Sequence, residues 1–378
     1  MSDVLILGGG LAGASAALRL ARAGVHVRLL EREIEPQHKV CGEFLSIEAQ
    51  QDLRQLGICP AALGAVPIDR VRLYRGQRMV EAALPFVGQG LSRKLLDEVL
   101  LDGAQRAGAR VERGVKANLI GDGEARTSAG TCRVRHLFLA TGKHDVRGAR
   151  RVLPGVGTDY IGFKMHWRIG PRQRGELGSA IELALFDGGY AGLQRIADDV
   201  MNLCLVVRRG RFIECGGHWE GLLADLMRNP HLAHRLGEGE QLFARPLTIA
   251  NLPYGFVCDP AAALPGGVYR LGDQAALTAP LTGDGMAIAL RSAALAAASV
   301  QAGATPAEYH RKLRELVAPQ VRRAMALQGM TEVPLAMRAA FFLVGHWPGL
   351  LGKIAGMTRL APWREPLEPD QPPWPAAA

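Results

Sequence analysis

The chain opens with an apolar run, which is followed by alternating helical and extended patterns. Residues 4 to 7 are uniformly apolar and predict a buried strand. Residues 14 to 23 have the Ala- and Leu-rich pattern of a helix, and residues 25 to 30 predict a second strand. The stretch from Gly8 to Gly13 lies between the first strand and the helix. This order predicts a βαβ unit, in which the two strands are parallel.

Further patterns suggest how the remaining chain is divided. A helix is predicted from Leu91 to Ala107, and strands at 110 to 112 and 137 to 140 can join the first sheet. From about residue 151 to 250 the chain changes to short β-rich runs, which favour a largely antiparallel second lobe. Helices are predicted again at three places: 284 to 301, 306 to 327 and 334 to 343.

The first glycine-rich turn has the spacing of a dinucleotide-binding motif. Gly8, Gly10 and Gly13 follow a predicted strand and open a predicted helix, and Glu31 ends the next strand. Glycines permit a tight turn and a close approach to a pyrophosphate, which the helix N-terminus attracts. The carboxylate of Glu31 would accept hydrogen bonds from a ribose. Further predicted contacts of this turn and strand end are made by Leu11, Ala12 and Arg32.

A second glycine-rich constellation lies far along the chain. It consists of a Gly-Asp pair and a later turn that opens a helix, namely Gly272, Asp273, Pro280, Gly283, Asp284, Gly285 and Met286. The pattern resembles flavin hydroxylases and geranylgeranyl reductases, in which the Gly-Asp pair contacts the ribityl chain of FAD and the turn faces the isoalloxazine. The resemblance implies that FAD is the cofactor. A helix N-terminus beside the flavin would stabilise the anionic reduced ring.

Shorter matches extend the same resemblance. Arg93 stands at a helix start that contacts FAD in these families, and Ala140, Thr141 and Gly142 resemble the strand-end turn beside the adenosine. The loop with Lys39, Cys41 and Gly42 is similar to the Lys-x-Cys-Gly segment of geranylgeranyl reductases, while its Gly42-Glu43 pair is also similar to flavin-dependent halogenases. Cys41 is either an inert small hydrophobe or a catalytic thiol that donates a proton near the flavin.

The second lobe offers two more candidate catalytic residues. Tyr190 lies in a segment that resembles the strand walling the substrate cavity in reductases, but this chain has Gly192 where that family carries Trp. His166 is either a structural histidine or an acid–base group. The stretch from His166 to Pro171 lacks the Trp-x-Trp-x-Ile-Pro motif of tryptophan halogenases. The stretch from Ala140 to Asp145 likewise replaces the Gly-Ala-Asp-Gly of many aromatic hydroxylases.

Together these features predict an α/β fold: a Rossmann-type FAD-binding domain interleaved with a mainly antiparallel β-sheet substrate domain, plus C-terminal helices. The FAD-binding domain is assigned residues 1–69, 91–150 and 251–300. The substrate domain is assigned residues 70–90 and 151–250, and residues 301–378 form a C-terminal helical cap and a Pro-rich tail.

Composition narrows the classes of partner. The net charge of +9 comes from scattered basic residues, so we predict no nucleic-acid binding, and an anionic, carrier-linked or CoA-linked substrate could use the surplus. The six cysteines form no CxxC pair, which predicts neither a metal site nor disulfides. The N-terminus lacks the pattern of a signal peptide, so a cytoplasmic location is expected. The apolar segment 339–351 is interrupted at His346 and Pro348 and is too short to cross a bilayer.

The resemblance therefore implies an FAD-dependent oxidoreductase. The first hypothesis is a monooxygenase that takes electrons transiently from NAD(P)H and hydroxylates a hydrophobic aromatic or polyketide-like substrate. The alternative is a C=C reductase similar to geranylgeranyl reductases. A flavin-dependent halogenase is a further alternative, as is a non-catalytic flavin-binding protein whose C-terminal helices contact a membrane or a partner. No second glycine-rich nucleotide motif is visible, so NAD(P)H would bind only transiently or an external reductase would supply the electrons.

Overall fold

The computed structural model describes residues 3–121, 124–151, 159–261 and 267–361. The predicted Pro-rich tail, from Pro362 onward, lies outside these ranges. The strands are β1 (Val4–Leu7), β2 (Val27–Glu31), β3 (Phe44–Leu45), β4 (Val66–Arg75), β5 (Arg78–Gly90), β6 (Arg110–Arg113), β7 (Ala117–Gly121), β8 (Glu124–Thr127), β9 (Gly130–Arg133), β10 (His136–Leu139), β11 (Tyr160–Arg168), β12 (Ala180–Phe186), β13 (Gly189–Arg195), β14 (Val200–Arg208), β15 (Glu240–Gln241), β16 (Leu247–Ala250) and β17 (Val268–Arg270). The α-helices are α1 (Leu11–Arg22), α2 (Ile47–Gln55), α3 (Arg93–Arg106), α4 (Pro171–Leu177), α5 (Arg209–Glu214), α6 (Trp219–Leu226), α7 (Pro230–Gly237), α8 (Gly285–Gln301), α9 (Pro306–Glu332), α10 (Pro334–His346) and α11 (Gly349–Met357).

A parallel sheet with the strand order β17-β10-β1-β2-β6 forms the centre of the first lobe. Alternate residues of β1 point to opposite faces, as strand geometry requires. Val4 and Ile6 pack into the core shared with helices α1, α3 and α8, whereas Leu5 and Leu7 pack on the other side. The predicted βαβ unit is confirmed, although α1 begins at Leu11 and so shortens the predicted turn.

The other face of this sheet is covered by a small antiparallel sheet of β7, β8 and β9. Ile120 and Ala125 from this small sheet join Leu5 and Leu7 in one buried cluster. The predicted strands near residues 110 and 137 do add to the parallel sheet, as β6 and β10.

The second lobe is built on a long sheet with the order β15-β11-β14-β13-β12-β4-β5-β3, and β16 also pairs with β11. Its neighbouring strands are antiparallel, except that β12 runs parallel to β4. Odd-numbered residues of β11, such as Phe163 and Trp167, pack on one face against helices α6 and α7. Even-numbered residues therefore face the first lobe. The sequence patterns did not predict helices α4 to α7.

The C-terminal helices cover the far end of the long sheet. The helix predicted at 306 to 327 continues to Glu332 as α9, and the break predicted at His346 and Pro348 separates α10 from α11. Helix α11 packs on β5. The predicted fold class is confirmed: a parallel sheet, interleaved with a mainly antiparallel one, is followed by helices. Across the part of the chain that the structure describes, no helix combines the length and apolarity that crossing a membrane requires.

Candidate active site

The turn between β1 and α1 leaves no room for side chains. Gly8 has φ of +106°, and a Cβ atom there would lie 2.5 Å from the carbonyl oxygen of Ala140. A Cβ atom at Gly13 would lie 1.9 Å from the carbonyl oxygen of Gly8. Only glycine avoids these clashes, so the turn brings the N-terminus of α1, at Leu11, directly to the edge of a cavity. The unpaired N–H groups of a helix N-terminus are a binding site for a phosphate.

Glu31 holds this turn in place. One of its carboxylate oxygens accepts a hydrogen bond from the Gly9 N–H at 2.6 Å, and the other accepts one from the Glu33 N–H at 2.9 Å. The side chain is buried but still lines the cavity beside the turn. Glu31 therefore orders the loop in addition to any hydrogen bond that it accepts from a ribose.

A cavity of about 490 Å³, which we call the dinucleotide cavity, lies along the carboxyl ends of β1, β2 and β10. Ten of the predicted cofactor residues line it, namely Gly8, Gly10, Glu31, Arg32, Lys39, Arg93, Ala140, Thr141, Gly142 and Asp273. His38, Lys143 and His144 also line it and were not among the predicted residues. The wall carries lysine and arginine side chains together with carboxylates, so it offers partners both for phosphates and for ribose hydroxyl groups.

A second cavity of about 160 Å³, the flavin cavity, continues from the first and shares Gly10, Arg93 and Asp273 with it. Other predicted residues on its wall are Leu11, Ala12, Cys41, Gly42, Gly272, Pro280, Gly283, Gly285 and Met286. The two glycine-rich turns, distant in sequence, thus converge on one space. This convergence is the main structural support for binding an elongated cofactor.

The residues present fit FAD. A Cβ atom at Gly42 or at Gly285 would find no heavy atom within 4 Å, so the backbone borders open space at both positions. Gly285 is also the first residue of α8, which directs a second helix N-terminus at the flavin cavity. FAD needs such an arrangement: one helix start for its pyrophosphate and open backbone for its flat ring.

Asp284, like Gly13 inside the first turn, does not line the dinucleotide cavity or the flavin cavity. Its buried carboxylate lies 2.8 Å from Arg359 Nη1 and accepts a hydrogen bond from Gln320 Nε2 at 2.7 Å. It does not line the cavities described above. Burial raises the pKa of Asp284 to about 7, although the guanidinium of Arg359 acts in the opposite direction. Asp284 ties the start of α8 to the C-terminal helices, and its contact with FAD stays a prediction.

A buried polar cluster joins the loop of residues 39 to 43 to the second lobe. Glu43 Oε1 lies 2.6 Å from Lys164 Nζ, and Glu43 Oε2 lies 2.8 Å from His166 Nε2. Asn202 Nδ2 donates to the carbonyl oxygens of Cys41 and Gly42, at 3.3 and 2.8 Å. These bonds fix the loop that crosses the flavin cavity.

The neighbours of Glu43 and His38 in this cluster shift the pKa values of both side chains. Burial alone would raise the pKa of Glu43, but the ammonium of Lys164 and the imidazole of His166 outweigh it and lower this pKa to about 2. Burial, reinforced by His166 and Lys164, lowers the pKa of the neighbouring His38 to about 4. His38, Glu43 and His166 have ligand atoms within 4.8 Å of one another. The ammonium of Lys164 already occupies the carboxylate, which disfavours a metal cation there.

A third cavity, of about 230 Å³, lies between the long sheet and the C-terminal helices, and we call it the apolar cavity. Its walls are mainly aliphatic and aromatic side chains of β4, β5, β12, β13, β14, α10 and α11, such as Leu73, Phe86, Leu183, Phe341 and Ile354. It shares Gly42, Phe44, Pro280 and Gly283 with the flavin cavity. The apolar cavity therefore opens where the isoalloxazine is expected.

Two polar side chains stand out on this apolar wall. Tyr190 and Gln194 are only 4% and 2% exposed, and within the described part of the chain neither the Tyr190 hydroxyl nor the Gln194 amide has a hydrogen-bond partner. They lie on the same face of β13, on either side of Gly192. Buried polar groups are nearly always hydrogen-bonded, so an unpaired pair in a cavity indicates a ligand that completes it.

The predicted catalytic residues are separated by the structure. Tyr190 lines the apolar cavity, as the resemblance implies. Cys41 lines the flavin cavity, and its Sγ accepts a hydrogen bond from the Glu43 N–H at 3.3 Å and lies 4.0 Å from Arg93 Nη1. His166 is bound to Glu43 and does not line the cavities described above. Contact with substrate is thus open to Tyr190, whereas His166 holds the loop.

Sequence reasoning missed Gln194 and the pairing of Glu43 with Lys164. The Gly-rich segment that contains Tyr190 also contains Gln194, so its period-two spacing was an available signal. The partners of Glu43 come from a strand far away in sequence, which no local pattern indicates.

Comparisons with known proteins agree with this geometry. A sequence profile described as an FAD binding domain matches residues 1–134. A menaquinone reductase of Mycobacterium tuberculosis is 29% identical over 336 residues, which cover 78% of this chain and 76% of that protein. A tryptophan 2-halogenase of Chondromyces crocatus is 26% identical over 345 residues, covering 79% of this chain and 61% of that one.

Solved structures show the same fold. The flavin-dependent brominase Bmp2 superposes with a TM-score of 0.74 at 18% identity, covering 94% of this chain and 93% of the brominase. PqsL of Pseudomonas aeruginosa, described as a probable FAD-dependent monooxygenase, gives a TM-score of 0.69 at 19% identity and covers 90% of this chain and 99% of its own.

Proposed function

We propose that the chain is an FAD-dependent monooxygenase of the superfamily that includes aromatic hydroxylases, flavin halogenases and reductases, and that it acts on a lipophilic substrate with a polar aromatic head. One observation carries the proposal. The apolar cavity meets the flavin cavity at Gly42, Phe44, Pro280 and Gly283, and its wall carries unpaired polar groups.

The cavity wall defines the class of substrate. Aliphatic and aromatic side chains on the sheet and on the C-terminal helices favour an elongated apolar body. The Tyr190 hydroxyl and the Gln194 amide would pair with a hydroxyl or carbonyl group on the head of that substrate. An unpaired buried group costs about 1–3 kcal/mol, so a substrate that pairs with both is selected over a plain hydrocarbon.

The position of Cys41 supports hydroxylation over C=C reduction. Reduction of a double bond needs a proton donor beside the substrate. The thiol of Cys41 is on the wall of the flavin cavity, beside Arg93, and is not on the wall of the apolar cavity. Hydroxylation of a phenol-like ring instead needs the head group held beside the cofactor. Tyr190 and Gln194 line the apolar cavity, which adjoins the flavin cavity, and in this proposal they would bind that head group.

FAD, when bound, would take electrons from NAD(P)H and deliver them to molecular oxygen. One oxygen atom enters an aromatic C–H bond of the substrate, and NAD(P)H with one proton reduces the other atom to water. The chain's own groups would bind and orient FAD: the helix starts at Leu11 and Gly285 would stabilise the anionic parts of the cofactor. Helices α9 to α11 cover the apolar cavity and keep water from the reacting atoms.

A C=C reductase is the second candidate, and a specific observation favours it. Similarity to the menaquinone reductase runs over 78% of this chain. Gly42, which follows Cys41 in the same loop, also lines both the flavin cavity and the apolar cavity. A thiol in that loop could reach a substrate after a rearrangement of the side chain.

Product analysis under isotopically heavy oxygen gas separates the two candidates. The purified FAD-loaded protein is incubated with NADPH and a phenol that carries a long alkyl chain. We expect a product that gains one heavy oxygen atom, and no product without oxygen. A parallel anaerobic reaction contains menaquinone and NADPH. The menaquinone is reoxidised to the quinone before mass analysis, so that only saturation of a side-chain double bond leaves a gain of two hydrogens. If that gain is found while the phenol is unchanged in oxygen, hydroxylation is wrong and the reductase is correct.

A further inference from the structure

The outer face of helix α10 is apolar. Its exposed positions recur with helical spacing, and three of them are Leu335 at 76%, Phe342 at 60% and Leu343 at 42% exposure. A surface helix normally places charged and polar residues on its solvent side. Only Arg338 and His346 do so among the large side chains of this face. Exposure of the outer face of α10 to water is therefore energetically unfavourable.

The same surface continues beyond α10. Trp347 is 63% exposed in the turn that follows, and Leu350 and Met357 are exposed on α11 at 36% and 65%. We call Leu335, Phe342, Leu343, Trp347, Leu350 and Met357 the outer apolar face. Single exposed hydrophobic residues are ordinary, but here six large ones are concentrated between residues 335 and 357, and such a concentration marks a binding surface.

The charged side chains in the stretch of sequence that forms this face are all cationic. From Val333 to Ala361 the chain contains no Asp or Glu, although these residues number 36 in the 378-residue sequence. Arg338 and Lys353 are exposed on the same two helices as the apolar side chains. An apolar face with cations and without carboxylates is complementary to a surface of anionic lipids.

The inner side of the same helices lines the apolar cavity. Met337, Phe341 and Val344 of α10 and Leu351 and Ile354 of α11 all contribute to its wall. Two helices thus separate the cavity from the outer apolar face. A molecule dissolved in a bilayer on one side of these helices would be one helix thickness from the cavity.

We propose that the outer apolar face docks on the surface of an anionic lipid bilayer, and that the α10–α11 pair is the route by which a lipid-soluble substrate enters the apolar cavity. The second clause rests on the proposed function, whereas the first does not. Trp347 and Phe342 would lie at the level of the lipid head groups, with Arg338 and Lys353 at the phosphates. A second copy of the chain is a poorer occupant, because symmetric pairing would bring the same cations together.

Vesicle co-sedimentation of the FAD-loaded protein tests the docking. Vesicles of phosphatidylcholine alone are compared with vesicles that also contain phosphatidylglycerol. We expect sedimentation with the anionic vesicles. The variant Phe342→Ser/Trp347→Ser is expected to lose more than about tenfold in its partition coefficient. Arg338→Gln/Lys353→Gln should lose roughly fivefold per cation at low salt and nothing at high salt.

A matched control is available in the second lobe. Ile213 on α5 is 63% exposed, like Trp347, but lies outside the outer apolar face. Ile213→Ser should bind vesicles as the unchanged protein does. The docking proposal is overturned if the unchanged protein stays in the supernatant with anionic vesicles, or if Phe342→Ser/Trp347→Ser sediments equally well. It is also overturned if sedimentation equilibrium shows a dimer that this variant abolishes.

Failure of the docking and failure of the proposed function can be told apart. Phe342 and Trp347 do not line the described cavities, so Phe342→Ser/Trp347→Ser should turn over a detergent-dissolved alkylphenol at the unchanged rate. It should lose turnover only when the alkylphenol is presented in anionic vesicles. Equal turnover of vesicle-borne alkylphenol by variant and unchanged protein contradicts entry from the bilayer. Absence of turnover in detergent by both contradicts the proposed function and leaves the sedimentation result to decide the docking.

Discussion

Glu43 Oε1 lies 2.6 Å from Lys164 Nζ, and both side chains are completely buried. Glu43 belongs to the loop that crosses the flavin cavity, whereas Lys164 belongs to β11 of the long sheet. The ion pair therefore ties the two lobes together at the point where the cofactor and the substrate are expected to meet. The backbone of Glu43 has φ of +60°, which is an unusual conformation for a residue other than glycine. Such strain persists where surrounding contacts determine it.

Glu43→Gln is expected to destabilise the protein by about 3–5 kcal/mol near pH 7, because it leaves the Lys164 ammonium buried without its counter-ion. The pKa of Glu43 is lowered to about 2 in the folded chain from its usual 4.5. Its stabilising contribution is thus complete above about pH 4.5 and is lost as pH falls towards 2. In denaturant titrations, the difference in free energy of unfolding between the variant and the unchanged protein should shrink as pH falls from about 4.5 towards 2.

Glu240→Gln is the control for this titration. Glu240 pairs with Arg168, and both side chains are more than half exposed, so its removal should change stability by less than about 1 kcal/mol. A gap for Glu43→Gln that is constant from pH 7 to pH 3 would contradict a charged Glu43.

Tyr190→Phe and Gln194→Leu should affect stability and substrate binding in opposite directions. Both substitutions remove buried polar atoms that lack partners, so the protein without substrate gains up to about 1 kcal/mol. The KM for an alkylphenol should rise roughly three- to tenfold in each variant, since one hydrogen bond to the head group is lost. Thermal melts and steady-state kinetics measure the two effects.

Tyr269→Phe provides the contrast. The Tyr269 hydroxyl donates to the carbonyl oxygen of Ala304 at 2.6 Å, away from the apolar cavity. Its loss should lower stability by about 1 kcal/mol and leave the KM unchanged. If Tyr190→Phe behaves like Tyr269→Phe, the Tyr190 hydroxyl does not contact substrate.

Asp284→Asn tests the buried carboxylate at the start of α8. Its pKa is raised to about 7 in the folded chain, so the folded chain holds this proton more tightly than the unfolded chain does. Stability from this group is therefore present at low pH and is lost as pH rises through 7. The Asn variant cannot lose a proton, so its free energy of unfolding should improve relative to the unchanged protein between about pH 4 and pH 7. A difference that does not vary with pH over this range would show that Asp284 does not titrate there.

Gly13→Ala should abolish retention of FAD and lower stability. The added Cβ atom would lie 1.9 Å from the carbonyl oxygen of Gly8, so the turn must move away from the dinucleotide cavity. Gly329→Ala is the control, because its Cβ atom meets nothing within 4 Å inside helix α9 and alanine favours a helix. Flavin absorbance after gel filtration measures how much FAD each of the two variants retains. A yellow Gly13→Ala protein would contradict the role of this turn.

Cys41→Ala separates the two proposed reactions. A proton donor commonly contributes about a hundredfold or more to the rate. For a monooxygenase, we expect the variant to keep its FAD and most of its turnover, since the thiol lies beside Arg93 on the wall of the flavin cavity. A hundredfold loss of turnover with normal flavin content would instead support a C=C reductase.

The first lobe could be predicted from the sequence because its information is local. Gly8, Gly10 and Gly13 define a turn that only glycine can form, and Glu31 follows at the end of the next strand. The same holds for the turn from Pro280 to Gly285. Each motif specifies its own backbone, and the known order of strands in this fold brings the two together.

The contacts that complete the site depend on tertiary folding and could not be predicted from local sequence. Three features depend on strands and helices that are distant in the chain. Glu43 pairs with Lys164, and Asp284 pairs with Arg359. The polar groups of Tyr190 and Gln194 have no hydrogen-bond partner within the described part of the chain. Helices α4 to α7 and the parallel pairing of β12 with β4 were likewise not predicted. The residue type limits which hydrogen bonds and ion pairs a side chain can form. The side chain forms only those whose partners folding brings close to it.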